Sequence, residues 1–134
     1  MKKIITWGLT LIIAGCLGAC SKSTNIAPGL FGKWELRRMY GGFAYKDSTY
    51  AAGNGTIYLF DSDNTYKHYT KNQLDGRGTF SIKKNGYQLG QDYFDELLLD
   101  NNTTGDPITV TNNKMTIGTT VTDGIAADYQ KISN

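Results

Sequence analysis

What most constrains this chain is its punctuation. From residue 30 onward, short runs rich in Thr, Ile, Leu and Tyr are separated at close intervals by clusters of Asn, Asp and Gly. Those three residues tolerate the positive φ that tight hairpin turns demand. Hairpin-type turns are therefore expected at Asp61-Ser62-Asp63-Asn64, at Lys84-Asn85-Gly86 and at Asn112-Asn113. The segments between turns read as strands near Lys33–Tyr40, Thr56–Phe60, Thr65–Thr70, Arg77–Lys83, Gly86–Leu89, Phe94–Leu99, Pro107–Thr111, Lys114–Thr119 and Ala126–Ile132. No helical period emerges after Cys20, although Gln91–Leu99 has room for one turn of helix.

Strands joined by short turns imply an antiparallel meander, and a meander must hide its two edges. Closure into an up-and-down β-barrel of about eight strands does so. A two-sheet sandwich is the competing architecture. Alternation supports burial on one face: Gly78, Phe80 and Ile82 share a side of their strand, as do Met115 with Ile117 and Trp34 with Leu36. The polar neighbours Lys33, Glu35 and Arg37 then fall on the other side. The one long connection, Gly41–Gly55, reads as a lid or rim loop.

The N-terminus follows a different logic. Lys2 and Lys3 precede an apolar run from Ile4 to Ile13, which is shorter than the ~20 residues a bilayer span needs and suits an export signal. Leu17-Gly18-Ala19-Cys20 resembles a bacterial lipobox, in which small residues give the peptidase access and the thiol takes the lipid. Ile13-Ala14-Gly15-Cys16 is a second match, so Cys20 is the expected lipidation site and Cys16 the fallback. The chain thus divides into a signal peptide (1–19), a lipidated tether (20–29) and a β-domain (30–134). The expected location is the cell envelope, held at a membrane by lipid, and facing either the periplasm or the cell exterior.

Charge and cysteine count agree with that reading. Of 14 basic residues, two are Lys2 and Lys3, which leaves the remainder balanced against 12 acidic ones. A neutral domain without a Lys/Arg run gives no support for nucleic-acid binding. Both cysteines lie in the signal region, so the domain has no internal disulfide and folds on packing alone.

Gly32-Lys33-Trp34, opening the first strand, resembles the Gly-x-Trp signature of lipocalins. The wider run continues through Gly53-Asn54-Gly55-Thr56-Ile57 and Asn64-Thr65-Tyr66-Lys67 to Tyr129–Ile132. Over most of Leu30 to Ser133 it resembles the small lipocalin-like lipoproteins of Bacteroidetes. The resemblance implies a barrel whose closed end is plugged by Trp34, with Lys131 from the last strand lying across the indole as a cation–π partner. It also implies an outer-membrane anchor and a small apolar or amphipathic ligand. The Asp47-Ser48-Thr49 triplet resembles the O-glycosylation signal of the same bacteria.

Candidate sites are few. His68 is the only histidine and has no cysteine in the domain to help it hold zinc, so it reads as a strand-face residue. Asp61-x-Asp63-x-Thr65 lacks the glycine and the closing glutamate of a calcium loop. Asp95 and Glu96 point to opposite faces of a strand, and no serine sits in Gly-x-Ser-x-Gly. No metal, cofactor or catalytic residue is expected. Trp34 and Leu36 set the inward parity and make Arg38 the arginine expected to point inward, with a β-bulge or rim position as the alternative. Candidate ligand contacts are Arg38 with Tyr40, Tyr58, Tyr66, His68, Phe80 and Tyr129. The expected function is a non-enzymatic binder of a small apolar or amphipathic molecule. Its rival is a packed barrel that engages a protein partner, such as an envelope hydrolase, through its loops. Interior volume separates the two.

Overall fold

The computed structural model describes residues 27–134. The signal peptide, the lipidation sites Cys16 and Cys20 and most of the tether lie outside the described residues. Nine strands follow one another: β1 (Gly32–Gly41), β2 (Lys46–Thr49), β3 (Ile57–Phe60), β4 (Thr65–Thr70), β5 (Gln73–Leu89), β6 (Asp92–Leu99), β7 (Asp106–Thr111), β8 (Lys114–Gly118) and β9 (Ile125–Ser133). All pairings are antiparallel. From β3 to β9 each strand pairs with the next, and β1 joins β3 to β9, which closes an eight-strand barrel. The sandwich is excluded by that closure.

The ninth strand is an addition to the wall. β2 lies along the same edge of β1 as β3, at its other end: Arg38 faces Thr49, while Glu35 faces Ile57. Three steps on β1 thus match eight on the other side, leaving Ala51–Gly55 as a five-residue excursion. β2 and β3 are two halves of one interrupted barrel strand. The segment read from sequence as a single rim loop therefore holds a strand. Its polar Lys-Asp-Ser-Thr sequence gives no apolar alternation to announce it.

β5 departs from expectation in the opposite direction. It runs unbroken from Gln73 to Leu89, so Lys84-Asn85-Gly86 is not a hairpin turn. Four steps on β5 (Lys83 to Tyr87) face two on β6 (Glu96 to Phe94), which makes this a bulge. Asp95 captures it by accepting from Lys84 Nζ (2.6 Å) and from the Asn85 amide (3.2 Å). The true turn is at Gly90-Gln91, and the expected helical turn after Gln91 is strand.

The lumen is filled by alternate residues from all eight barrel strands. Trp34, Leu36, Phe60, Tyr66, Phe80, Ile82, Leu97, Ile108, Met115 and Tyr129 form one buried cluster, with Tyr58, Val110 and Ile117 packed against it. Each large side chain so buried is worth about 1.5–3 kcal/mol. Trp34 forms the floor: it is fully buried and donates from Nε1 to Leu30 O at 2.6 Å. Gly32 has φ +117° there, and a Cβ would collide with the Ser133 carbonyl oxygen of β9. Only glycine lets the first and last strands meet this closely.

Candidate functional site

The ligand contacts expected from sequence fall into two groups, divided by the barrel wall. Tyr58, Tyr66, His68, Phe80 and Tyr129 are inside or at the mouth, packed on one another. Tyr58 stacks on Phe60 (centroids 5.5 Å apart), meets His68 at 4.4 Å and takes Tyr129 edge-on at 5.6 Å; Phe60 meets Phe80 at 4.9 Å. Burial raises the hydroxyl pKa of both Tyr58 and Tyr129. These rings are one another's ligands. What remains at the mouth is a recess of about 160 Å³ beside Met39, Gly41, Ser48 and Ile125, where the Tyr50 hydroxyl donates to Met39 Sδ at 3.7 Å.

Arg38 is on the outside. A bulge between Leu36 and Arg38 shifts the pairing with β9 and turns the arginine outward, so simple alternation from Trp34 fails at this point. Its guanidinium donates twice to Asp47 of β2 (2.9 and 2.6 Å) and lies 4.4 Å from the ring centroid of Tyr40. The Asp47 carboxylate holds the Arg38 pKa up, and Arg38 holds that of Asp47 below the usual carboxylate range. Tyr40, two residues on, therefore faces outward too.

That outward face contains a cleft of about 290 Å³. Its floor is set by register. Met115, Ile117, Ile108 and Ala127 point into the lumen, so the residues between them, Thr116, Thr109 and Ala126, point out. One wall is Tyr40. The other is the distal end of the β5–β6 hairpin, bringing Tyr87, Leu89 and Phe94. The hairpin can reach it because β6 pairs with β7 only from Asp95 to Leu97, and beyond that point the two strands separate. Thr119 and Thr120, in the loop after β8, complete the rim. Of the residues singled out in the sequence only Tyr40 lines this cleft. Tyr87, Phe94 and the threonines carry no sequence signal, since they come together through a splayed hairpin.

Two polar clusters lie elsewhere. At the mouth, His68 Nδ1 and the Thr70 hydroxyl both bond to Asp75 (2.6 and 2.5 Å), and with Thr70 first these contacts lower the Asp75 pKa. The carboxylate stands between imidazole and hydroxyl. A base-activated hydroxyl needs the imidazole in the middle, so this trio is not a nucleophile–base pair. On the outer wall, Glu35 is only 4% exposed although its position alternates with the core. The Ala51–Gly55 excursion covers it: Arg37 bonds to Oε2 at 2.5 Å, and the amides of Gly53 and Gly55 donate at 3.1 and 3.2 Å. Burial alone raises this carboxyl, but Arg37 and the two amides outweigh it and hold Glu35 below the ordinary range.

At the floor, Lys131 Nζ lies 5.4 Å from the Trp34 ring centroid and donates to Gly29 O at 3.0 Å. Among the described residues no group of three His, Cys, Asp or Glu side chains is placed to hold a metal, and no helix is long and apolar enough to cross a membrane. No protein-family model, curated protein or solved structure matches this chain.

Proposed function

We propose that this protein is a lipid-anchored, non-enzymatic binding protein of the cell envelope, whose ligand sits in the cleft on the outer wall of the barrel and not in the lumen. The observation that carries this reading is the contrast between the two spaces. The lumen is occupied by Trp34, Phe60, Met115 and the tyrosine cluster, whereas the outer cleft is concave, lined mainly by apolar atoms and supplied with convergent hydroxyls. The anchor rests on the signal-like residues 1–19 and the lipobox resemblance at Cys20. In this form the resemblance to lipocalin-like lipoproteins concerns the scaffold, and the binding site has moved to its exterior.

Native mass spectrometry of the protein extracted from its own envelope tests the binding role. A retained small molecule is expected, lost on Phe94→Ala and kept on Phe43→Ser. Clean apo-protein over repeated preparations overturns it. The anchor is tested separately: labelled palmitate is expected to enter the wild-type chain and to be lost on Cys20→Ser, and loss only on Cys16→Ser moves the site to the fallback.

A protein-interaction role is the second reading, favoured by the filled lumen and by a set of exposed apolar side chains. Phe43 (95% exposed), Tyr45 and Val121 stand out from two adjoining loops, and Ile125 from the start of β9 beside them; a bond from Gly42 N to Gly124 O (2.8 Å) joins the loops. Retention of a partner protein that Phe43→Ser abolishes favours this reading over the first.

A further inference from the structure

The outer cleft does not end at Thr120. A recess of about 260 Å³ shares Tyr87, Leu89, Pro107, Gly118 and Thr119 with it and continues along the Thr119–Gly124 loop. The two share these lining residues and make one trough, with Tyr40, Tyr87 and Phe94 on its walls. We infer that this trough holds a neutral, hydroxylated chain, an oligosaccharide, with sugar rings laid against Tyr40, Tyr87 and Phe94 and their hydroxyls met by threonines. The inference rests on the reading of the outer cleft as the ligand site, and names the ligand class for it.

The lining chemistry carries the argument. Among the described residues the 290 Å³ cleft has no charged side chain in its lining. The recess beyond it has one, the Asp106 carboxylate, which repels an anion, accepts from a hydroxyl and offers a cation a counter-ion only at that far end. A plain hydrocarbon chain fits no better, because it would strip water from the threonine hydroxyls without replacing their hydrogen bonds. A sugar offers both surfaces at once: axial C–H groups for an aromatic face and hydroxyls for threonines.

Two positions are already committed. The Thr116 hydroxyl donates its hydrogen to Asp128 Oδ1 at 2.7 Å, and Lys114 Nζ holds the other Asp128 oxygen at 3.1 Å. Towards the trough Thr116 is therefore left with lone pairs, an acceptor for a donating hydroxyl. Tyr40 is braced from behind by Arg38, itself fixed by Asp47, so stacking on it costs little ordering. An extended peptide is the rival chain, but it needs an unpaired backbone edge to add to. At the floor, Thr116 pairs with both Thr109 and Asp128, and Ala126 with both Gly118 and Tyr40, so those backbones have no free side. The edges freed where β6 parts from β7 are short, at Phe94 and Thr109, which is why a peptide stands among the probes.

Saturation-transfer NMR on the full chain, in a detergent without a sugar headgroup, reads this directly. The probes are neutral hexaoses built from glucose, galactose, mannose and N-acetylglucosamine, the apolar dye N-phenyl-1-naphthylamine, and an uncharged, end-capped hexapeptide. At least one hexaose is expected to bind, and its monosaccharide at least tenfold more weakly. Affinity is expected to fall about tenfold or more on Phe94→Ala and several-fold on Arg38→Ala. Thr109→Ala, at an exposed position that does not threaten folding, is expected to cost about threefold. Failure of every hexaose, or hexaose binding unchanged in all three variants, overturns the inference. Dye or peptide binding that is lost on Phe94→Ala, with no hexaose bound, overturns the sugar assignment and leaves the outer-cleft reading standing. No binding by any probe counts against both.

Discussion

Glu35 is the residue whose environment its sequence position least announces. Alternation assigns it to the solvent side with Lys33 and Arg37, and it does face outward, yet it is buried because a loop eighteen to twenty residues away folds over it. Local pattern cannot register such a cover. The carboxylate now gathers three donors that the loop and Arg37 bring to it. Replacing it by glutamine keeps the shape, but sets an amide nitrogen against at least one donor. Glu35→Gln is expected to cost about 1–3 kcal/mol in chemical denaturation at pH 7. The sign of the pH dependence follows from the lowered pKa. Its contribution is complete above the ordinary carboxyl value of 4.5 and disappears as pH falls through the lower value of the folded state. Wild type and Glu35→Gln are therefore expected to converge in acid, and a gap that widens in acid refutes the assignment. Arg38 shows the complementary limit. Its inward expectation followed from Trp34 and Leu36, and one bulged residue in between reversed it.

At the scale of elements, most strands were legible because their inner and outer faces differ sharply in polarity. β4 falls where its alternation and flanking turns put it, and Met115 and Ile117 share the lumen face in β8. Illegible elements had physical reasons. β2 is polar on both sides, with its Asp47 engaged by Arg38 and its Ser48 at the mouth. The Asn85-Gly86 pair, a strong hairpin signal, was overruled by Asp95 across the strand, whose carboxylate takes the donors a turn would leave free. The candidate site was least legible of all, because its walls come from β1, β5 and β6, and only the parting of β6 from β7 makes them neighbours.

The Ala51–Gly55 excursion is an element that can be removed. Since it is five residues in excess, excising it leaves β2 and β3 in their present registers on β1. The shorter connection costs less closure entropy, and Glu35 returns to water. The deletion is expected to fold, with stability within about 1 kcal/mol of the parent. In that background Glu35→Gln is expected to lose most of its effect, which a double-mutant cycle measures as coupling. Full additivity of the two changes would show that the loop does not act through Glu35.

For the whole molecule, closure dominates. Among the described residues β1 pairs with both β3 and β9, so the sheet closes on itself and hides its ends, and its interior is rings and aliphatic side chains in one cluster. A scaffold so filled leaves its open recesses and apolar projections on the outside: the trough along β7, β8 and β9, and the loop tips at the pole away from Trp34. The floor is where the first and last strands meet, with Lys33 paired to Ser133 and Gly32 against the same carbonyl. Such adjacency makes the order of strands along the gene a matter of choice. A short linker from Asn134 to Gly29, with new ends opened in the exposed Asn101–Thr104 turn, keeps all nine strands and every pairing. That circular permutant is expected to fold to the same barrel, with a slower hydrogen-exchange core at Trp34, Phe60 and Met115 as in the parent. It would also bring its N-terminus to the opposite pole, so that anything joined there would hold the same domain upside down.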